Sequence, residues 1–499
     1  MLKNILRGAG KDALTYFPVR LVPALTSLVT VPVFTRMIGP EAMGAYNIVM
    51  PATSLAATVS TAWISNAAVR FYWPYEKQGR QDDYTATALW STAASVLAVS
   101  ALFGLGTLAL RGRMPDAVVA LVPVALAALC VNYFVTVCQQ MLRAANRSRD
   151  FAMVAVSANL LITAFAVAFV AAPQFRWGAF GIMAGTVAGN LLILPFALRR
   201  VASEGSLSPV HVRRDVLGEF VRYGLPMVPA AVSSWMLVLS DRYVLGAYSG
   251  LAIAGLYAVA YSLGDKIMQL VQMPLLTTMG PVMIQTWEKD GQRLAQQVQT
   301  QFTRYFLMAQ LPVVFGLAAA ARPFMEVFTG DRYHEAWPVL PVVAAGVMLY
   351  GLTQVAGNGI ALHKKTTITM TNTLAAAVLN IGLNIVLIPR FGYMAAAWDT
   401  VAAYLFLLAL TWARSRPYLA WEIPWADVAR VLAAALGMYA AVHFTLGRLD
   451  ASAWLLLAEA AAGLAVYALL LLAVGALRAD ERDFLRDAVR SAFRRGGAS

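Results

Sequence analysis

The chain has 499 residues, of which 60% are hydrophobic and only 13% are charged, whereas soluble domains carry roughly 25% charged residues. This composition excludes an ordinary soluble domain and indicates a membrane protein. The formal net charge of +13 does not indicate a nucleic-acid partner, because the cations gather on one set of connections, where membrane insertion and anionic lipid headgroups account for them.

Fourteen apolar stretches are long enough to cross a hydrocarbon core, which takes roughly 20 helical residues. The predicted spans 1 to 14 cover residues 14–36, 44–66, 86–110, 116–137, 152–172, 179–198, 223–247, 254–278, 305–327, 338–361, 367–388, 393–413, 427–446 and 452–475. The sequence therefore predicts an all-α polytopic membrane protein.

Lysine and arginine lie mainly on alternate connections between these spans. The connections 1–13, 67–85, 138–151, 199–222, 279–304, 362–366, 414–430 and 476–499 hold 28 of the 39 cations, and the opposite connections hold eight. Cytoplasmic loops carry such an excess. We therefore expect both termini in the cytoplasm and the protein in a bacterial inner membrane.

A pattern around the first span recurs around the seventh: Val-Pro-Ala, an arginine thirteen residues after the proline, and then Gly-x-Tyr. The matched positions are Pro23, Arg36 and Gly44 in one copy and Pro229, Arg242 and Gly255 in the other. A second match, eight residues long in both copies, pairs Gly178 and Thr186 with Gly392 and Thr400. Two matches in the same order indicate a duplicated unit of six spans. Because six is even, the copies are parallel repeats, and a site is expected at their interface.

The predicted domains follow from this duplication. They are an N-lobe (1–198, spans 1–6), a cytoplasmic linker (199–222), a C-lobe (223–413, spans 7–12), spans 13 and 14 (427–475) and a cytoplasmic amphipathic tail (476–499).

Several stretches resemble the polysaccharide and O-antigen flippases, which move lipid-linked oligosaccharides. They are Thr35–Val49, Ala68–Phe71, Leu142–Ala152, Ser240–Leu263 and Phe328–Val343. These flippases belong to the multidrug/oligosaccharidyl-lipid/polysaccharide exporter (MOP) superfamily, together with the lipid II flippase and MATE-type drug exporters. The resemblance implies two six-helix lobes in a V around a central cavity. It also implies that an undecaprenyl-pyrophosphate-linked oligosaccharide moves from the cytoplasmic to the periplasmic leaflet by alternating access.

The alternatives within the superfamily are a lipid II flippase and a MATE-type drug/cation antiporter. A membrane glycosyltransferase or ligase is the alternative from another class, but the outward loops are short, the four histidines are dispersed and no P-loop pattern occurs. We therefore expect a transporter, not an enzyme, without cofactor or metal. It should act as a monomer on lipid-linked oligosaccharide and contact membrane lipids; whether a polysaccharide polymerase or chain-length regulator binds is left open.

Three cations are candidates for the substrate's pyrophosphate and glycan. Arg20 lies within span 1 between two prolines, and it either faces the cavity or extends to the cytoplasmic headgroups. Arg70, at the cytoplasmic end of span 2, either meets the pyrophosphate at the cavity mouth or anchors an aromatic belt. Lys266 in span 8 is either a cavity cation or the partner of Asp265 in a buried pair.

Other charged residues are candidates for a gate or for ion coupling. Arg36 corresponds to Arg242 in the duplication, so these two residues and Asp241 are assigned to a gate or lobe interface. Asp265, Asp399 and Glu459 are acids in or near spans and could bind a coupling ion. A polar run in spans 10 and 11 either lines the cavity or forms helix–helix hydrogen bonds; it comprises Asn358, Asn372, Asn380 and Asn384.

Overall fold

The computed structural model describes residues 10–172, 174–445, 452–478 and 481–482, except for the side chains of residues 10–17, 20, 24 and 445. Within these ranges the chain is helical and contains no β-strand. The end of the molecule that carries the predicted cytoplasmic connections is called the inner end below, and the opposite end is called the outer end.

The helices follow the predicted order. Spans 1 to 6 are Gly10–Met37, Pro40–Lys77, Gln81–Leu110, Asp116–Ala144, Ser148–Ala171 and Gly178–Ala202. A linker helix, Arg214–Gly224, leads into span 7, which consists of Val228–Leu239 and Asp241–Tyr248. Spans 8 and 9 form one helical stretch, Leu251–Phe328. Spans 10 to 14 are Val339–Ala356, Thr366–Phe391, Tyr393–Ser415, Trp425–Thr445 and Ala453–Ala473.

The number of spans agrees with the hydropathy prediction. Eleven helices in the described ranges are long and apolar enough to cross a membrane, and a twelfth span is the pair of helices in span 7, which bends by 46°. The stretch Leu251–Phe328 has 78 residues, about 117 Å of helix, and must therefore cross twice. Its break is Gly291 at φ 81°, a left-handed conformation that favours glycine. Span 1, with its apolar part at Leu21–Met37, completes fourteen.

Two glycines allow spans 2 and 8 to touch backbone to backbone at the outer end. A Cβ atom on Gly44 would lie 1.8 Å from the carbonyl oxygen of Leu251, and one on Gly255 would lie 2.1 Å from that of Pro40. Gly44 and Gly255 are equivalent in the duplication, and so are the residues they contact, Leu251 and Pro40. Each contact is therefore the counterpart of the other in the opposite lobe. Such paired contacts are those of two parallel repeats related by a two-fold axis between spans 2 and 8.

Span 1 is also bonded to the C-lobe at the outer end. The Arg36 guanidinium donates to the carbonyl of Val327 (2.9 Å), the Tyr333 hydroxyl donates to the carbonyl of Ile38 (2.8 Å), and the Gly330 N–H donates to the Thr35 hydroxyl (3.1 Å). The residues around these bonds belong to one large apolar cluster with members from both lobes, including Ile38, Met43, Tyr257 and Met325. The outer end is closed.

The inner ends of the lobes have separate apolar cores. One cluster combines inner parts of spans 2 to 6 with the linker helix, for example Tyr84, Leu142 and Phe220. Another combines inner parts of the C-lobe with spans 13 and 14, for example Met283 and Trp421. The lobes thus share one apolar core at the outer end and have separate apolar cores at the inner end.

Spans 2 and 7 run antiparallel and join the lobes along one edge. From the inner to the outer end, Gly224 packs against the backbone of Trp63, the Trp235 indole donates to the carbonyl of Pro51 (3.0 Å), and Tyr243 donates to the carbonyl of Ile48 (3.0 Å). Any separation of the lobes at the inner end must therefore occur on the other side, between spans 1 and 8.

The inter-lobe linker is bound to the N-lobe. Arg80 pairs with Asp215 (2.8 Å) and with Asp83 (3.0 Å), and Tyr75 donates to Glu219 (2.8 Å). The hydrogen bond from Arg80 holds the pKa of Asp215 below its ordinary value. The backbone N–H of Ser206 donates to Asp82, and the Trp90 indole donates to the carbonyl of Leu207. The linker is thus a structured part of the N-lobe's inner end.

A buried arginine fixes the start of the tail to the C-lobe. Arg304, at the inner end of span 9, has 1% of its surface exposed. It binds both carboxylate oxygens of Glu481 and also pairs with Asp427 at the start of span 13 (3.3 Å). Burial alone would raise the pKa of Glu481, but hydrogen bonds from Arg304, Tyr305 and the Arg478 backbone hold it at about 2. The rest of the predicted amphipathic tail, after residue 482, lies outside the described residues.

Candidate functional site

A cavity of about 830 Å³ opens at the inner end of the N-lobe. Span 2, span 4 and the linker helix form its walls. Its lining consists of Ser65, Asn66, Val69, Arg70, Phe71, Trp73, Pro74, Tyr75, Gln78, Gln140, Arg143, Glu219 and Tyr223. Span 2 has 38 residues, about 57 Å of helix, so its last turns extend past a 30 Å hydrocarbon core. The cavity therefore lies at the depth of lipid headgroups.

Two of the lining side chains are arginines whose guanidinium groups form no recorded hydrogen bond or ion pair within the described part of the chain. Arg70 lies on span 2 and Arg143 on span 4, and both are exposed. The single acid of the lining, Glu219, accepts a hydrogen bond from Tyr75. Unpaired guanidinium groups bind phosphate oxygens in a planar, bidentate manner. The cavity therefore suits an anionic ligand.

The rest of the lining combines aromatic rings with amides. Phe71 packs edge-on against Tyr223 with ring centres 5.4 Å apart, and Trp73 is 43% exposed. Asn66 donates to the carbonyl of Ala62, which leaves its oxygen as an acceptor, and Gln140 lies on the opposite wall. Aromatic faces and amides can hold sugars through their apolar faces and their hydroxyl groups.

A second group of charges lies inside the bilayer, where spans 7 and 8 meet. The Arg242 guanidinium lies over the ring of Tyr261, 5.6 Å from its centre, and it is close enough to Asp265 and Lys266 for their charges to interact. The Tyr257 hydroxyl donates to Asp241 (2.6 Å). The structure thus places near one another four residues to which the sequence gave three different roles: Asp241 and Arg242 (gate or lobe interface), Asp265 (ion coupling) and Lys266 (substrate).

Asp265 and Lys266 form no direct ion pair within the described residues, although their charges are close enough to interact. Both oxygens of Asp265 accept from the amide of Gln269 (2.9 Å each), and Lys266 forms no recorded ion pair within the described ranges. Consecutive residues of a helix point in different directions, whereas positions four apart lie side by side. Gln269 is therefore the partner of Asp265.

Span 7 breaks between its two helices, and a buried polar cluster surrounds the break. Ser240 donates to the Asn380 oxygen (3.3 Å), which also accepts from Asn384 (2.9 Å). The Asn380 amide nitrogen and the Asn384 oxygen have no partner within the described residues, although both side chains are at most 1% exposed. The carboxylate of Asp241, the next residue after the break, is 3% exposed. Discontinuous spans with buried polar groups are typical of ion sites in transporters.

The remaining candidates lie apart from these clusters. The side chain of Arg20 is outside the described residues, and Arg36 contacts Val327 at the closed outer end. Asp399 and Glu459 are buried, and one carboxylate oxygen of each has no partner in the described ranges. Glu459 is on span 14, outside the duplicated core. Their assigned roles stay predictions.

Two features of the site were missed or left open from sequence. Arg143 was not singled out, although it lies in the stretch Leu142–Ala152 that resembles the flippases. The asparagines of span 11 had been interpreted as cavity-lining or as helix–helix contacts, and Asn372 is a contact residue, since it bonds Thr411 and Arg414 of span 12.

The model of the polysaccharide biosynthesis protein family matches residues 9–287, more than half of the chain. The chain belongs to this family. The match covers the N-lobe from residue 9, the linker and spans 7 and 8, and therefore includes both charge clusters described above. It confirms the family that the sequence stretches indicated.

Similar proteins agree with this assignment. The succinoglycan biosynthesis transport protein ExoT of Rhizobium meliloti (strain 1021) is 25% identical over 331 residues, which cover 63% of this chain and 61% of that protein. The match thus spans less than two thirds of that relative. The lipid II flippase MurJ, in an inward closed conformation, superposes with a TM-score of 0.74 at 14% identity and covers 96% of this chain and 99% of that one.

A multidrug resistance MATE family transporter of the MOP superfamily, in an inward-facing conformation, superposes with a TM-score of 0.67 at 14% identity, covering 82% of this chain and 98% of that one. The chain therefore has the fold that these two proteins share. It is a polytopic membrane protein of the polysaccharide biosynthesis protein family.

Proposed function

We propose that the chain is a flippase for an undecaprenyl-pyrophosphate-linked oligosaccharide, which it moves from the cytoplasmic to the periplasmic leaflet by alternating access. One observation carries this proposal: the inner cavity holds two unpaired arginines, Arg70 and Arg143, among amides and exposed aromatic rings. A glycan joined to a pyrophosphate needs both kinds of partner. Without them, each polar group stripped of water costs roughly 2–7 kcal/mol.

The arrangement of the lobes fits the entry of such a substrate. The outer end is closed by backbone contacts at Gly44 and Gly255, and spans 2 and 7 are joined along their length. The apolar tail can therefore stay in the bilayer on the side of spans 1 and 8, while the glycan and pyrophosphate enter from the inner end. Arg70 and Arg143 bind the pyrophosphate first, at headgroup depth.

The interior cations provide the next binding position. Arg242 and Lys266 lie deeper in the bilayer, at the interface of the lobes, and neither guanidinium nor ammonium is neutralised by a direct ion pair within the described residues. A pyrophosphate that moves from the mouth to this position stays close to cations along its path. Charged groups in a membrane face such a path or a partner.

The charge of the cavity argues against the drug/cation antiporter. A cationic drug needs free carboxylates at its site, but the unpaired charges of the inner cavity are positive. Lipid II also carries a pyrophosphate, so the lipid II alternative differs from this proposal only in the glycan. Transport assays with each of the two substrates distinguish them.

The polar cluster at the break of span 7 is the best candidate for a coupling-ion site, in place of Asp265, Asp399 and Glu459. Asp241 supplies a buried carboxylate, and Asn384 supplies an oxygen without a partner. Carboxylate and amide oxygens suit Na⁺, and the carboxylate alone suits a proton. Cation binding there would act directly on span 7, which joins the two lobes.

Translocation of a fluorescent lipid-linked oligosaccharide in proteoliposomes tests the proposal. Each charge-assisted contact contributes about 1.5–3 kcal/mol, so Arg70→Ala and Arg143→Ala should each weaken substrate binding roughly ten- to a hundredfold. Arg149→Ala is the matched control, because Arg149 is exposed at the same inner end but does not line the cavity.

Wild-type transport by the Arg70→Ala/Arg143→Ala double variant, at equal abundance, would contradict the role of the cavity. Transport of lipid II but not of undecaprenyl-pyrophosphate-linked oligosaccharide would keep the flippase class and overturn the substrate.

A further inference from the structure

We propose that a second basic pocket, at the inner ends of spans 5 and 6, binds the phosphodiester of an anionic phospholipid of the inner leaflet. The pocket has a volume of about 430 Å³ and is lined by Arg147, Phe196, Arg199, Arg200 and Ser203. None of these residues lines the inner cavity between spans 2 and 4, so this site is separate from the proposed substrate site.

Carboxylates hold two of the three guanidinium groups in place. Arg147 pairs with Asp150 (2.6 Å) and Glu204 (2.6 Å) and bonds the Ser203 hydroxyl. Arg200 pairs with the other oxygen of Asp150 (3.2 Å) and lies over the Phe196 ring, 4.9 Å from its centre. These contacts fix the direction of both side chains before any ligand binds, which reduces the entropy lost on binding.

Within the described residues, one positive charge of the pocket is not neutralised by a carboxylate. Three arginines face two carboxylates, and Arg199 is exposed without a recorded ion pair or hydrogen bond in the described residues. A phosphodiester carries one negative charge and two free oxygens. It can therefore pair with Arg199 and accept from the N–H groups of Arg200 that Asp150 does not use.

The surface next to the pocket, on the side of the bilayer centre, is apolar. Leu192, Phe196, Arg199 and Ser203 follow each other at helical spacing, so they form one stripe along span 6. Leu192 is 58% exposed at a depth where acyl chains lie. A phospholipid fits this stripe because its headgroup would lie at the arginines and its acyl chain along Leu192. Basic pockets between spans on the cytoplasmic side are known lipid headgroup sites.

Diffuse attraction is the competing explanation. Arg199 and Arg200 also lie in the last turn of span 6, where cations stabilise the helix end, and any exposed arginine attracts an anionic surface. If the pocket itself binds the lipid, replacing its arginines should weaken lipid binding more than replacing two other arginines on the same inner face.

Native mass spectrometry of the full-length chain, in micelles supplemented with phosphatidylglycerol or phosphatidylcholine, tests the site. Wild-type protein should retain one phosphatidylglycerol at collision energies that remove phosphatidylcholine. Arg199→Ala/Arg200→Ala should bind phosphatidylglycerol at least about tenfold more weakly. The control Arg214→Ala/Arg222→Ala removes the same charge from the linker helix, where both arginines are exposed, and should bind as wild type.

The single variant Arg199→Ala leaves the Asp150 pairs intact and so keeps the fold; it should lose several-fold in affinity. Wild-type retention by both pocket variants would overturn the proposal, and an equal loss in the control would show diffuse attraction instead. Displacement of phosphatidylglycerol by undecaprenyl pyrophosphate, but not by more phosphatidylcholine, would assign the pocket to the transported lipid and overturn the phospholipid assignment.

Discussion

Alanine at Gly44 or Gly255 should open the outer end of the molecule. The added Cβ atom would lie 1.8 Å from the Leu251 oxygen in the first variant and 2.1 Å from the Pro40 oxygen in the second. Both neighbours are backbone atoms of a packed helix and cannot rotate away. Real Cβ atoms do not come within 3.0 Å of such atoms, so spans 2 and 8 must separate by about 1 Å.

The cost falls on the arrangement described above, in which the two spans touch, and not on a state in which their outer ends are apart. Overpacking of this kind costs typically about 1–3 kcal/mol. A difference of that size between two states shifts their populations by about 5- to 150-fold. Each single variant should therefore turn a protein that is closed at its outer end into a mixture, and the double variant should favour the state with an open outer end further.

Spin labels on the two lobes at the outer end measure this shift. Arg113, after span 3, and Arg390, in the last turn of span 11, are both exposed and can be replaced by labelled cysteines in a background without Cys130 and Cys138. Pulsed dipolar spectroscopy should show a longer distance in Gly44→Ala and Gly255→Ala than in the parent protein.

The matched controls are Gly106→Ala and Gly382→Ala, where an added Cβ atom meets nothing within 4 Å. These helix-interior changes should stabilise the protein by roughly 0.5–1 kcal/mol and leave the distance unchanged. A folded Gly44→Ala/Gly255→Ala protein with the parent's distance distribution would refute the assignment of the outer gate.

Four further predictions concern the tail, the coupling site and the topology. Arg304→Leu leaves Glu481 without its main partner and should lower the free energy of unfolding by about 3–5 kcal/mol; thermal unfolding should show partial recovery in the double variant with Glu481→Leu. The folded-state pKa of Glu481 is about 2, below its ordinary 4.5. Its contribution to the free energy of unfolding is therefore complete above about pH 4.5 and is lost as the pH falls towards 2. Faster hydrogen exchange of residues 476–482 over that pH interval would show this loss, and constant exchange would contradict it. Asp241→Asn should abolish the dependence of transport on a Na⁺ or proton gradient while the protein stays folded, and an unchanged gradient dependence would exclude this residue as the coupling site. Reporter fusions after Arg80 should be cytoplasmic and those near Arg332 periplasmic, and the reverse result would invert the orientation.

Hydropathy and charge predict the spans well because each span is a local property of about 20 residues. The same signal even separates spans 8 and 9, which the structure joins in one helical stretch broken only at Gly291. The break of span 7 is different. It lies inside an apolar segment, and it is visible only when Ser240 is seen bonded to Asn380, 140 residues later.

In the candidate site, too, the sequence does not show which distant residues lie close together. Arg70 was interpreted either as a group at the cavity mouth or as an anchor of an aromatic belt; it lines the inner cavity, and its role towards the substrate stays a prediction. Its counterpart Arg143 resembles any other cytoplasmic arginine in the sequence, because its proximity to Arg70 depends on how spans 2 and 4 pack. Likewise, Asp265 and Lys266 are adjacent in sequence, but the hydrogen-bond partner of Asp265 is Gln269, one helical turn further on.

The linker is held to the N-lobe by non-covalent contacts as well as by the covalent chain. Its contacts with the N-lobe, through Asp215, Glu219 and the backbone of Ser206 and Leu207, resemble a subunit interface more than a tether. The covalent connection is thus reinforced on both sides of residues 208–213. Two half-length polypeptides divided there would carry complementary surfaces and should assemble through the contacts that hold the linker in place.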